Sequence, residues 1–325
     1  MLIKSIEYLF WLGRYLERLD DTARLVNATS HLLIDSHKDT SFSWPVLLDV
    51  MGENSKELLK QNALPAGELP QAVTVEYAVM AHLISDPAST ISIRYACSQL
   101  KINARTIRPL LPRDMWEELN SLDIFLQQQC EQLGSRQQRF NLMREVSRRC
   151  QMVVGVVDGT MLRGPAFDLF TLGRMLERAD MTTRIMDVLV LQQLQPTEIK
   201  RPKFRWTSIL NAMGGIESYH HYLAHQSGDV DTIDYLLSYA EFPRSVAYCM
   251  NRISGSVKML PHQSLIVSQV QQLQSLLNTD KPADLSTEQL HKLIDQIQTG
   301  IIGLHQVITK PDISQVSKSC QQLTA

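Results

Sequence analysis

One thirteen-residue signature occurs twice in this chain, and it limits the fold more than any other feature. Residues 12–24 read LGRYLERLDDTAR and residues 172–184 read LGRMLERADMTTR, an offset of 160 with nine of the thirteen positions identical. A repeat of that density predicts two related helical halves, 1–160 and 161–310, in one compact unit, with a loose polar tail over 311–325. A weaker echo follows: Ser92 precedes Cys97 much as Ser245 precedes Cys249.

At about 100° per residue, each signature divides cleanly between two helix faces. Leu9, Leu12, Tyr15, Leu16, Leu19, Ala23 and Val26 form an apolar stripe suited to a core. Gly13, Arg14, Glu17, Arg18, Asp20, Asp21 and Arg24 fall on the other side. In the second copy Leu172, Met175, Leu176 and Ala179 oppose Gly173, Arg174, Glu177, Arg178, Asp180 and Arg184. The same helical period continues through most of the chain. It predicts long helices over about 2–33, 137–160 and 167–193, and shorter ones over about 44–64, 71–83, 90–108, 112–133, 207–225 and 232–239, with two or three more before 308. Glycine and proline together number 27 of 325, too few for the many turns of a sandwich or barrel. The fold class is therefore all-α, a multi-helix bundle of about ten to fourteen helices.

The charges within the signature need an explanation. Arg14 with Arg18, and Arg174 with Arg178, stack at i and i+4, which is unfavourable unless acids or an anion lie between them. Glu17 stands three residues from Arg14 and seven from Arg24 and can bridge both. Between the copies the apolar positions change (Tyr15 to Met175, Leu19 to Ala179) while the charges stay. A solvated face would not require that. Two accounts remain open. One is a buried ion-pair network where the two long helices pack, antiparallel or crossed, around Gly13 and Gly173. The other is a cationic pocket that takes carboxylate or phosphate through guanidinium forks. The candidate binding residues are Arg14, Glu17, Arg18, Arg24, Arg174, Glu177, Arg178, Asp180 and Arg184, with Asp20, Asn103 and Arg105 in support.

Composition excludes several classes. A net charge of −2 offers no basic excess for nucleic acid. Five cysteines, widely spaced and without a CxxC pair, fit thiols in a reducing compartment, and Cys97 and Cys249 lie on apolar stretches as inert buried groups. No apolar run reaches about 18 residues and no leader cleavage pattern opens the chain, so a cytoplasmic protein without a membrane span is expected. Phosphate-cradling loops (GxxxxGK[ST], GxGxxG) and a GxSxG elbow are lacking, and no cofactor is expected. Trp116, after Pro112 and Asp114, reads as following a capped helix start. Glu217, His221 and His225 recur every four residues and form a minor metal alternative to the expectation of no metal.

The two signatures resemble the paired ER motif of the alpha-E family, a bacterial all-helical family. IEYLFWLGRYLER is similar to that family's opening helix, NARTIRPLLPRDMWEELN (103–120) to an internal segment, and FPRSV (242–246) to a late one. Leu19-Asp20-Asp21 departs from the family's more usual Ala-Glu-Asn. The resemblance implies a chain encoded with, or fused to, a circularly permuted ATP-grasp protein, often beside a transglutaminase-like peptidase. The implied role is that of a partner or substrate-presenting module in ATP-dependent peptide or amide-bond formation. Two other classes stay open: an enzyme using Glu17 or Glu177 as a base beside the arginines, and a purely structural oligomerisation domain, a homo-oligomer included.

Overall fold

The computed structural model describes residues 3–35, 44–61, 71–130, 134–194, 210–224, 231–257, 260, 263–278 and 282–309. Among them are thirteen α-helices and no strand. In chain order they are α1 (Ile3–Asp35), α2 (Trp44–Val50), α3 (Ser55–Gln61), α4 (Gln71–Met80), α5 (Ile93–Thr106), α6 (Arg113–Gln129), α7 (Arg136–Thr160), α8 (Pro165–Leu194), α9 (Ile216–Ala224), α10 (Thr232–Ser238), α11 (Val246–Ser256), α12 (Gln263–Leu277) and α13 (Thr287–Thr309). The tail over 311–325 and the start of the expected 207–225 helix lie outside the described residues.

The two signature helices form the centre. α1 and α8 pack along each other, and each collects its own neighbours: α5 and α7 lie against α1, α11 and α13 against α8. α6 joins α5 to α7, and α12 joins α11 to α13, so the same order of neighbours recurs around each long helix. The apolar stripe of α1 supplies Leu9, Leu12, Leu16, Leu19, Ala23 and Val26 to one continuous core, and Leu172, Leu176 and Ala179 of α8 do the same. Its charged side is buried too. A helix enclosed all round sits inside a larger helical assembly rather than on its surface.

Caps set where the neighbours begin. Ser92 accepts from the Tyr95 amide and donates to the Asp86 carbonyl at 2.5 Å, which starts α5. Ser245 accepts from the Tyr248 amide and donates to the Tyr239 carbonyl at 2.6 Å, which starts α11. The two serines thus make the same pair of bonds at the head of equivalent helices. Ser135 and Gln138 form a capping box for α7. α6 differs from expectation: it follows Pro112 with no side-chain cap, and Trp116 stacks instead under Arg108 at 5.4 Å.

Two expected helices are broken by glycine. The 44–64 span divides into α2 and α3 at Gly52, whose φ of 86° lies in the left-handed region. Gly214, with φ 61°, similarly closes a short turn before α9. α4 runs on into a π-helical stretch over Ala81–Ser85.

Candidate functional site

Where α1 meets α8 there is no side chain between the backbones. A Cβ added at Gly13 would lie 2.1 Å from the Phe170 carbonyl oxygen, and one at Gly173 2.0 Å from that of Phe10. Only glycine allows this approach. It presses the two charged faces together. From the Phe10–Gly173 and Gly13–Phe170 contacts to the Arg18–Glu177 and Glu17–Arg178 ion pairs, partners stay 157 to 163 apart in sequence, so the helices pass one another in the same chain sense and not antiparallel.

The pairing is reciprocal. Arg14 Nε donates to Glu177 Oε2 at 2.5 Å, and Arg18 Nε donates to Glu177 Oε1 at 2.5 Å. In the other direction Arg174 Nε donates to Glu17 Oε2 at 3.1 Å and Arg178 Nε to Glu17 Oε1 at 2.6 Å. Each glutamate takes two arginines from the opposite helix. The expectation that Glu17 bridges Arg14 and Arg24 on its own helix is thereby corrected, because the glycine contact brings α8's guanidinia closer. Arg24 and Arg184 pair instead with Asp20 and Asp180, at 2.9 and 3.1 Å along their own helices.

A third arginine enters from outside the signatures. Arg244, just before α11, donates through Nη2 to Asp20 at 2.8 Å and through Nη1 to Asp21. Its carbonyl accepts from Thr182, and the neighbouring Pro243 carbonyl accepts from Arg178 Nη1, both at 3.0 Å. Ser147 of α7 donates to Asp20 as well. Sequence reasoning missed Arg244 and Ser147. FPRSV shows no charge periodicity, and its signals were its place ahead of α11 and its likeness to a late segment of the family, neither of which singles out Arg244.

Burial decides the electrostatics. Glu17 and Glu177 are each 2% exposed. Burial by itself pushes a carboxyl's pKa up, but Arg14 and Arg18 outweigh it at Glu177 and hold that group at about 2. Glu17 is held below its ordinary range in the same way, by Arg178, Arg174 and Arg244 against burial. Asp21 goes the other way. Its burial exceeds the pull of Arg244, Glu17 and Asp20 repel its charge, and it is pushed up to about 7. Its Oδ2 is enclosed without a hydrogen-bond partner among the described residues.

Other expected participants stand apart. Asn103 is buried on α5, and among the described residues no hydrogen bond links its side chain to the ion cluster; Arg105, about 200° further round the helix, faces solvent. Glu217 and His221 are exposed on α9, and His225 lies outside the described residues. Glu17, Asp20 and Asp21 offer oxygens within 4.8 Å of one another. Arg174, Arg178 and Arg244 already surround those oxygens, a setting that opposes a metal cation.

The cluster opens to a cavity on one flank. Between α1, α7 and the segment before α11 lies a space of about 240 Å³, lined by Arg24, Arg174, Arg178 and Arg244 together with Glu17 and Asp20. Beside it an outer cleft of about 830 Å³ is lined by Asn27, His31, Arg144, Glu145, Arg148 and Asn211. Arg24 and Gln151 belong to both.

A family model described as a predicted alpha-helical domain with a conserved ER motif matches residues 1–311. An uncharacterised protein of Mycobacterium bovis is 22% identical over 311 residues, which cover 91% of this chain and 34% of that protein. An uncharacterised protein of Mycobacterium tuberculosis (strain ATCC 25618 / H37Rv) is 21% identical over the same shares. The chain spans about a third of the length of these relatives. No solved structure matches.

Proposed function

The chain belongs to the Alpha-E family, and from that premise we propose that it is the non-catalytic helical partner of an ATP-grasp ligase system that forms peptide or amide bonds. The observation that supports this most is the state of the two motif glutamates. A general base works best with a pKa near the operating pH and a proton within reach. Neither has such a pKa: each is bound by two opposing arginines and held well below the ordinary carboxylate range, and of the two only Glu17 borders the 240 Å³ cavity. The thiols fare no better as nucleophiles, since burial raises Cys97, Cys150 and Cys249 above their ordinary value. His82 does lie 3.1 Å from Ser89 Oγ, but that serine is buried in the turn ahead of α5. Bond-forming chemistry is therefore assigned outside this helical region. The relatives' length agrees with this, for in them the matched region is one part of a chain about three times as long.

Co-purification with an ATP-grasp protein encoded beside this chain, followed by ATP hydrolysis with and without it, tests the proposal. A stable complex with altered hydrolysis is the expected result. Failure to associate, or amide-bond formation by this chain alone, would overturn it.

A further inference from the structure

The two signature copies use equivalent arginines differently, and that difference marks a binding site. In one half the head of Arg14 is fully engaged. Its Nη1 lies 3.2 Å from His305 Nδ1, its Nη2 lies 3.6 Å from Asp180, and Trp11 stacks 5.4 Å away. In the other half Arg174 is anchored through Nε to Glu17 and lies 5.8 Å from the Phe170 ring, but its two Nη groups have no polar partner among the described residues. Arg174 is one of the residues that line the 240 Å³ cavity. Arg24 lines the same space, with Nε fixed on Asp20 and Nη1 packed beside Gly214.

Charge around the cavity is unbalanced. Four arginines line it against two carboxylates, with Asp21 behind Arg244 as the third acid in reach, in a chain whose net charge is −2. Two guanidinia anchored at Nε in the wall of a partly enclosed space, with Nη donors to spare, match the planar fork that binds an oxyanion. Desolvation strengthens that match, because Arg174's side chain is only 12% exposed. A lone metal or a cationic ligand is disfavoured for the same reason. The adjoining cleft adds room for more than an ion: at about 830 Å³ it lies within the range of small-ligand sites, and Asn27, Glu145, Gln151 and Asn211 supply amide and carboxylate groups along it.

We infer that Arg174 and Arg24 form an oxyanion seat at the inner end of this cleft, which takes the terminal carboxylate or a phosphate of a ligand whose remainder lies along α1 and α7. The seat stands on geometry alone, so it does not depend on the ligase reading: binding is measured on this chain without a partner.

Titration calorimetry on the full chain tests it with three probes: inorganic phosphate, a tripeptide with a free C-terminal carboxylate, and the same tripeptide amidated. Saturable binding of phosphate or of the free-acid peptide, with the amidated peptide at least about tenfold weaker than its acid, is expected. Phosphate alone points to a phosphate-bearing ligand, and the free-acid peptide alone to a carboxylate one. Either supports the seat. Arg174→Gln is expected to weaken binding about tenfold or more, whereas Arg113→Gln removes an exposed ion pair on α6, away from both cavities, and is expected to leave affinity unchanged. Should Arg174→Gln fail to fold, Arg24→Gln serves, because the ion pair of Arg24 with Asp20 runs along its own helix. No binding by any probe, equal binding of acid and amide peptides, or equal losses in Arg113→Gln and the cavity variant would overturn the inference.

Discussion

Each motif glutamate answers two guanidinia, so removing the carboxylate strands a pair of buried cations. Glu177→Gln is expected to destabilise the fold by about 3 kcal/mol or more, read by denaturant titration. A loss under about 0.5 kcal/mol would place the network among ordinary surface pairs. The acids also set an opposed pH response. Glu17 and Glu177 have folded pKa values below the ordinary one, so their stabilisation is present above about pH 4.5 and lost as pH falls towards 2. Asp21 has a folded value raised from 3.8 to about 7, so its contribution is full below its ordinary value and lost as pH rises through 7. Asp21→Asn abolishes that second limb. Thermal melts between about pH 4 and pH 8 should therefore show the variant gaining on the parent as pH rises, and a constant gap across that window would refute the assignment. At this scale the sequence was informative about which residues matter but not about whom they meet. The repeat singled out the arginines and glutamates. Arg244 escaped because its partners, Asp20 and Asp21, lie more than two hundred positions away, joined only by packing.

Helix on helix, the glycine contact governs. Gly13→Ala or Gly173→Ala sets a methyl against backbone rather than a movable side chain, so α1 and α8 must separate, at a cost of about 1–3 kcal/mol or more. Gly155, exposed within α7, meets nothing within 4 Å. Gly155→Ala is expected to stabilise by about 0.5–1 kcal/mol, which makes it the control for the same substitution. A shared melting temperature for the two variants would remove the close approach from the account. Periodicity located α1, α7 and α8 to within a few residues, since each presents many turns of consistent apolar spacing. It failed at 44–64 because a lone glycine inside a helical pattern is usually tolerated; only the left-handed backbone at Gly52 ends α2. It also could not choose the relative direction of α1 and α8, for a helix face carries no information about which way its partner runs.

Across the whole molecule, one continuous core joins both signature helices to their neighbours, and no helix among the described residues is long and apolar enough to cross a membrane. Cys97, Cys130, Cys150 and Cys249 all lie within that core. Their reaction with a thiol reagent is expected to wait on global unfolding, so labelling kinetics in increasing denaturant should follow the loss of helical signal. Rapid modification of any of the four in native buffer would show that its region opens independently.

The reciprocal ion pairs have a consequence for how such a chain can arise. One copy of the signature already contains both the acid and the bases that its partner supplies, which is the self-complementarity of an isologous dimer interface. Placing two copies in one polypeptide fixes their ratio at one to one and makes their encounter intramolecular. The copies are then free to diverge: Asp21 stands where the second copy has Met181, and Arg174 stays open where Arg14 is capped by His305. Covalent joining turns a symmetric pairing into an asymmetric one, and only an asymmetric pairing can keep one half for structure while giving the other to a ligand.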